Sequence, residues 1–288
     1  MNRIDGKTKL YAVMGDPIEH SLSPLLHNTA FEYWGLNCSY VAFRVEAAQI
    51  QEALKAVVCL RLGGANLTHP LKEVALPCLN WVDEKAQRVG AVNTVVNREG
   101  SLLGYNTDVE GFRWSLEEEA AWNSSAGSAV ILGAGGAARG VTVSLAEAGV
   151  RYIRVHNRNA DRAAELSRML HEAYGICTEV LPLTKEALRE SLKETRLLVN
   201  TLPLDPCDDT GVPLYQELSL TPETVVFDIR YSPPVPSFLH WARNSGGYIF
   251  NGLGMLMGQA AEAFEYFTGK KAPRRLMLEQ IKPDHAEK

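Results

Sequence analysis

Short apolar, β-branched runs alternate along the whole chain with stretches in which apolar residues recur at helical spacing. Runs that are apolar at every position predict strands covered on both faces, and the amphipathic stretches predict the helices that cover them. In the first third the pattern predicts strands near 10–14, 39–44, 63–67, 91–97 and 101–106, with helices at about 24–34, 46–59 and 70–79. Arg98-Glu99-Gly100 predicts a hairpin turn between the last two strands. Gly35 predicts the C-cap of the first helix.

A second rhythm begins after Trp122. Asn123 to Gly127 reads as a loop and Ser128 to Leu132 as a buried strand, followed by strands near 152–156, 178–181, 197–200, 224–228 and 248–250. Helical spacing falls at 136–148, 160–174, 184–193, 237–244 and, after Asn251-Gly252-Leu253-Gly254, at 255–268. Six strands with helices between them in one stretch predict a doubly wound sheet. The expected class is therefore α/β with two domains. Boundaries are expected near residues 110 and 250, and spacing alone does not say whether the helix after the second boundary packs back on the first domain.

Length agrees, since 288 residues divide into about two domains. A net charge of −5, with no long Lys/Arg run, argues against nucleic-acid or anionic-membrane partners. No apolar run reaches the ~18 residues of a membrane span. The five cysteines are odd in number and never fall as C-x-x-C, which predicts neither a metal site nor a disulfide framework and fits a reducing cytoplasm.

The most specific local pattern is Ala129-Val130-Ile131-Leu132-Gly133-Ala134-Gly135-Gly136-Ala137-Ala138, a strand running through G-x-G-x-x-A into a helix. Gly133 would allow a tight turn, Gly135 close approach of a pyrophosphate, and Ala138 close helix–strand packing. The helix N-terminus would supply amide donors. A glycine-rich turn without a ligand is the competing reading. At the end of the next strand, where an NAD site places a carboxylate, stand Asn157 and Arg158, with Arg162 four residues on. Guanidinium groups would clamp a 2′-phosphate, so NADP is expected over NAD. Two solvated surface arginines are the alternative.

In the first domain, Ser23 suits a helix N-cap and Pro24 the first helical position. Ser21 and Ser23, two apart in an extended segment, would also point the same way and could take a carboxylate. Lys72 falls in the first turn of a helix, the unfavourable end of the dipole for a cation, and is there either solvated or placed for a purpose. Asn93 would lie inside an apolar strand, and Asp108 would act in a site or cap the helix that runs to Trp122.

Taken in order, Met14-Gly15-Asp16-Pro17 through Ser23-Pro24, Asn66-Leu67-Thr68-His69-Pro70-Leu71-Lys72-Glu73, Gly90-Ala91-Val92-Asn93-Thr94, Asn106-Thr107-Asp108, the glycine-rich turn, Asn157-Arg158 and Asn251-Gly252-Leu253-Gly254-Met255-Leu256 resemble the shikimate/quinate dehydrogenase family over approximately 11–267. The resemblance implies a substrate-binding and catalytic domain with a mixed sheet, residues 1–110 completed by 251–288, and a Rossmann-type NADP-binding domain at 111–250. It implies NADPH-dependent, reversible reduction of 3-dehydroshikimate to shikimate with Lys72 and Asp108 as the catalytic pair. It implies that Ser21 and Ser23 hold the substrate carboxylate, with Tyr231 beside it, and that Thr68, Asn93, Asp108 and Gln259 bind ring hydroxyls. It implies that Gly133, Gly135, Gly136, Ala137 and Asn157 hold the cofactor, Arg158 and Arg162 its 2′-phosphate, and that Gly252 and Met255 border the nicotinamide.

The departures from the family's pattern are His69, Val109-Glu110, Asn159 in place of a common Thr, and Arg230 beside Tyr231. Retention of Ser23 favours shikimate over quinate. Quinate as substrate, NAD or dual cofactor use, and a non-catalytic ligand-sensing module are the alternatives. Monomer and homodimer are both compatible with the sequence, and no metal is expected because the cofactor carries the reducing equivalent.

Overall fold

The computed structural model describes residues 4–122, 127–208 and 211–281. The expected loop at Asn123 to Gly127 lies outside the described residues except for Gly127. The chain forms two compact units, residues 1–111 with 256–288, and residues 112–255.

The first unit begins with β1 (Lys9–Gly15), α1 (Ser23–Tyr33), β2 (Cys38–Arg44), α2 (Ile50–Cys59) and β3 (Gly64–Leu67). There follow α3 (Leu71–Val74), β4 (Trp81–Val82), α4 (Glu84–Val89), β5 (Thr94–Arg98), β6 (Ser101–Tyr105) and α5 (Asp108–Trp114). The strands form a mixed sheet in the order β2-β1-β3-β5-β6-β4, with β5 antiparallel to both β3 and β6. Alternation along β1 sends Ala12 and Met14 to one face, where Ile50, Leu54 and Val57 of α2 cover them. Tyr11 points to the other face and meets the ring of Phe31 from α1 at 5.3 Å.

Several elements differ from the expected ones for local reasons. The helix expected at 46–59 starts as a 3₁₀ turn, Ala47–Gln49, closed by reciprocal side-chain caps between Glu46 and Gln49. The helix expected at 70–79 breaks into α3 and a 3₁₀ turn, Leu76–Cys78, because Pro77 has no amide to continue it. The strand expected at 91–97 starts only at Thr94: the Val92 amide goes to the Lys72 carbonyl at 2.8 Å instead of to a ladder partner. Ser23 is not an N-cap. Leu22 is already helical, Ser23 is the first residue of α1, and the Ser23 amide donates to Ser21 Oγ at 3.3 Å. The premise of an extended Ser21–Ser23 segment therefore fails. The helix expected to run to Trp122 is α5 followed by a π turn, Ser115–Glu119. It is Asn106, not Asp108, whose side chain accepts an amide at its start, from Asp108 at 3.1 Å. The turn after β5 has φ of +53° at Glu99 and +93° at Gly100, both positive as a two-residue hairpin of type I′ requires.

The second unit carries β7 (Ser128–Leu132), α6 (Gly136–Glu147), β8 (Tyr152–Asn157), α7 (Ala160–Tyr174), β9 (Cys177–Pro182), α8 (Lys185–Leu192), β10 (Leu197–Asn200), β11 (Val225–Asp228), α9 (Ser237–Asn244) and β12 (Tyr248–Asn251). Its sheet is parallel throughout, in the order β12-β11-β10-β7-β8-β9, the doubly wound arrangement with its switch point between β10 and β7. One face is sealed by Leu188 and Leu192 of α8 and Phe238 and Leu239 of α9 packed on Val130, Leu198 and Val226. The chain returns to the first unit through α10 (Leu253–Thr268), and the last element among the described residues is α11 (Arg274–Ile281), which lies along α1.

Candidate active site

Every candidate side chain of the first unit that precedes α10 comes from one edge of the mixed sheet. Ser21 and Ser23 follow the carboxyl end of β1, Thr68 and Lys72 that of β3, and Asp108 that of β6. Asn93 precedes β5, whose antiparallel direction brings its amino end to the same edge. Gln259 is added by α10.

At this edge Lys72 Nζ lies 2.5 Å from Asp108 Oδ2, with the two side chains 17% and 4% exposed. The other oxygen, Oδ1, accepts from Asn93 Nδ2 at 2.8 Å. The orientation of the Asn93 amide is set by a donor that cannot rotate: the Thr107 backbone amide donates to Asn93 Oδ1 at 2.8 Å. The Thr94 hydroxyl donates to the same oxygen at 3.0 Å. Its nitrogen therefore faces the carboxylate, and also reaches Thr107 Oγ1 at 3.0 Å and Gln259 Oε1 at 3.5 Å. Behind this layer Asn66 donates to the Asn93 carbonyl at 3.1 Å and accepts from the Tyr40 hydroxyl at 2.7 Å. Burial pushes the Tyr40 phenol well above its ordinary value, so it stays a donor.

The structure thus brings together Lys72, Asp108, Asn93 and Gln259. Ser21, Ser23 and Thr68 occupy the same edge without hydrogen bonds to that group. Thr68 packs so closely on the end of β1 that a Cβ at Gly15 would lie 2.2 Å from its methyl carbon. Thr94, Asn106 and Thr107 fix Asn93 and Asp108 but were not among the expected site residues; the run of polar residues where an apolar strand should continue was their signal. The expected cation in the first turn of α3 is held by Asp108 across the sheet edge, which offsets its unfavourable place on the helix dipole. Glu110, one of the departures, pairs with Lys85 of α4.

In the second unit the candidates again sit at the carboxyl ends of the strands. Gly133 follows β7 with φ +109°, a conformation that L side chains rarely adopt, and a Cβ there would lie 2.5 Å from Thr201 Oγ1. Gly135 is different. Its φ of −90° suits any residue, and a Cβ there would meet nothing within 4 Å. No steric demand of the chain calls for glycine at this point, whereas a pyrophosphate lying against the start of α6 would. Gly136 and Ala137 open that helix.

Asn157 ends β8, with its side-chain amide on the Asn159 carbonyl at 2.7 Å. Arg158 precedes α7 and is exposed, with no ion-pair partner among the described residues. Arg162 lies in the first turn of α7, so the two arginines flank the helix start rather than share a helix face. Asn159 is the N-cap of α7, accepting from the Arg162 amide at 3.0 Å. These residues fit an NADP adenosine end: the strand terminus is cationic and carries no carboxylate of its own, and the nearest acidic residue in sequence is the exposed Asp161, beside Arg162 in the first turn of α7.

Tyr231 follows β11 and is half-buried. Gly252 follows β12 so closely against Ile229 that a Cβ would lie 1.9 Å from its carbonyl oxygen. Met255 is buried in the first turn of α10. Arg230 is turned onto Asp228 and Asp205. Among the described residues no group of three His, Cys, Asp or Glu side chains could hold a metal ion.

Residues 13–95 match the model of the shikimate dehydrogenase substrate binding domain, 116–199 that of shikimate/quinate 5-dehydrogenase, and 252–282 that of the shikimate 5′-dehydrogenase C-terminal domain. The NADP(+)-dependent shikimate dehydrogenase of Desulforamulus reducens is 41% identical over 276 residues, covering 96% of this chain and 95% of the relative. The chain belongs to the shikimate dehydrogenase family. Among solved structures, the family member from Thermus thermophilus in complex with NADP(H) and shikimate is 39% identical, with a TM-score of 0.81 over 94% of this chain and 98% of that one. The Listeria monocytogenes member, in complex with shikimate and NAD, is 32% identical, with a TM-score of 0.84 over 97% and 98%. The fold is the family's two-domain α/β architecture with one mixed and one parallel sheet.

Proposed function

We propose that this chain is an NADP-dependent shikimate dehydrogenase, interconverting 3-dehydroshikimate and shikimate. The observation that carries the assignment is the Lys72–Asp108 pair, 2.5 Å apart at a sheet edge, in a chain 41% identical to an enzyme of that activity. When bound, NADPH supplies the hydride that reduces the C3 carbonyl. What the protein must add is charge stabilisation and a proton for the oxygen that becomes negative.

Lys72 provides both. Asp108 uses one N–H of the ammonium, leaving two to face a ligand oxygen, and the developing alkoxide takes a proton from Nζ. Asp108, itself fixed by Asn93, orients the ammonium and keeps the pair's charge in place when the proton leaves. The 17% exposure of the Lys72 side chain leaves a route by which water restores that proton. Asn93, Thr68 and Gln259 are assigned to the ring hydroxyls, and Ser21, Ser23 and Tyr231 to the carboxylate. Gly133, Gly135, Gly136, Ala137 and Asn157 would hold the cofactor's pyrophosphate and ribose, Arg158 and Arg162 its 2′-phosphate, and Gly252 and Met255 would border its nicotinamide.

No helix among the described residues is long and apolar enough to cross a membrane. Five free cysteines support a cytoplasmic assignment, and monomeric or homodimeric assembly both fit the reading. The deciding assay follows reduced-nicotinamide absorbance with purified protein, offering shikimate and quinate each with NADP and with NAD. Turnover fastest with shikimate and NADP is expected. Preference for quinate or NAD would overturn the specificity, and no turnover in any combination would leave a ligand-sensing module.

A further inference from the structure

Arg230 stands between two aspartates at the carboxyl edge of the parallel sheet. Its Nε lies 2.9 and 3.2 Å from the two carboxylate oxygens of Asp228, and its Nη2 lies 2.5 Å from Asp228 Oδ2. The same Nη2 lies 2.5 Å from Asp205 Oδ1. Asp228 is the last residue of β11 and has no exposed surface. It also accepts from Asn200 Nδ2, at the end of β10, at 3.0 Å. Asp205 lies in the loop after β10 and accepts from the Tyr215 hydroxyl at 3.1 Å.

A buried carboxylate without a cation would be costly, so the fork on Asp228 needs no function to explain it. Asp205 does. Asp228 is already neutralised, and a second carboxylate returns the cluster to a net negative charge. What it adds is mechanical: one planar guanidinium now ties the loop after β10 to the loop after β11, a geometry that a lysine point charge cannot reproduce. The segment it holds continues directly into Tyr231. Its backbone also reaches β12, because the Arg230 carbonyl accepts from the Gly252 amide at 3.0 Å. Gly252 lies so close to the Ile229 backbone that it has no room for a side chain.

We propose that Arg230, bridged to Asp205, is a positioning residue that holds Tyr231 and Gly252 in register for the substrate carboxylate and the nicotinamide end of the cofactor. This rests on the shikimate dehydrogenase reading above. The charge that Arg230 brings beside Tyr231 is paired within the protein by Asp228 and Asp205.

The test uses the full chain and two variants, each also made in a Tyr231→Phe background. Arg230→Gln removes the bridge, and Asp205→Asn weakens it while leaving the Arg230–Asp228 fork intact should the first variant fail to fold. For both, kcat with shikimate and NADP is expected to fall about tenfold or more, with a smaller loss for Asp205→Asn. Affinity for adenosine 2′,5′-bisphosphate, which probes only the Arg158 end, is expected to stay within twofold. In a Tyr231→Phe background the added loss should shrink, since the two changes would act on the same contact. Unchanged kcat in Asp205→Asn, or adenosine-bisphosphate affinity falling in step with kcat, would overturn the positioning role. A wild-type protein inactive with shikimate and NADP would instead overturn the function on which it rests.

Discussion

Asn93 Nδ2 and Lys72 Nζ hold opposite oxygens of one carboxylate, at 2.8 and 2.5 Å from Asp108 Oδ1 and Oδ2. Asp108 thus cannot turn without giving up one of two donors, and the Asn93 amide is itself fixed by the Thr107 backbone amide. Separate losses are expected for the two neighbours. Lys72→Ala removes the proton donor and should lower kcat roughly a hundred- to ten-thousand-fold with little change in shikimate affinity. Asn93→Ala keeps the donor but releases Asp108, for about a tenfold loss in kcat, and strands the buried Thr107 amide at about 1–3 kcal/mol of stability. Steady-state kinetics and denaturant unfolding measure both. Equal losses in kcat and shikimate affinity for Lys72→Ala would remove Lys72 from the proton step.

The adenosine end gives a cleaner charge test, because Arg158 is exposed and pairs with no carboxylate among the described residues. Its removal should cost the cofactor and not the fold. Arg158→Ala is expected to raise KM for NADP roughly 10- to 100-fold, the value of a charge-assisted bond to phosphate, and to leave KM for NAD nearly unchanged. A constant NADP-to-NAD ratio would show that the 2′-phosphate is held elsewhere.

Much of this architecture is legible in the chain because it follows from periodicity. The all-apolar runs Ala129 to Leu132 and Leu197 to Val199 predict strands covered on both faces, and they are the centre of the parallel sheet. What escapes the sequence is set by partners far along it. Strand β5 starts late because the Val92 amide is taken by Lys72, twenty positions away. Leu22 enters the helix and displaces Ser23 from the cap. Arg230 reads as a stray charge until Asp205 is seen beside it. The short α4 was marked all along, by Asp83 as N-cap and Gly90 in the left-handed region at its end, but six residues give too little periodicity to register.

Two glycines separate what the fold requires from what a ligand requires. A methyl at Gly135 has open space and an ordinary φ, so Gly135→Ala should leave stability within about 0.5 kcal/mol of wild type. Its NADP affinity should nevertheless fall tenfold or more. A methyl at Gly252 would meet the Ile229 backbone, so Gly252→Ala should unfold at lower denaturant, by roughly 1–3 kcal/mol. Thermal or denaturant unfolding paired with cofactor titration reads both. An unaltered NADP affinity in Gly135→Ala would mean that no pyrophosphate lies against that turn.

The last prediction concerns a group with no part in the chemistry. His27 of α1 is fully buried, stacked on Tyr40 with ring centroids 4.2 Å apart and flanked by Phe31 and Phe267, and neither ring nitrogen has a hydrogen-bond partner among the described residues. Burial alone lowers its pKa from 6.5 to about 3. The folded protein therefore refuses a proton that the unfolded chain accepts. The stability tied to this histidine is fully present above pH 6.5 and is lost as pH falls toward 3. At pH 5 the loss attributable to His27 should be about 2 kcal/mol relative to pH 7.5. His27→Phe keeps a ring for Tyr40 to stack on and titrates nowhere in this range. Its unfolding free energy should fall less between pH 7.5 and pH 5 than that of wild type, by that same amount. Other groups, including the buried His156, titrate alike in both proteins and cancel from the difference. Identical pH dependence in the two proteins would mean that His27 gains a proton without leaving the fold, and hence that water reaches its ring.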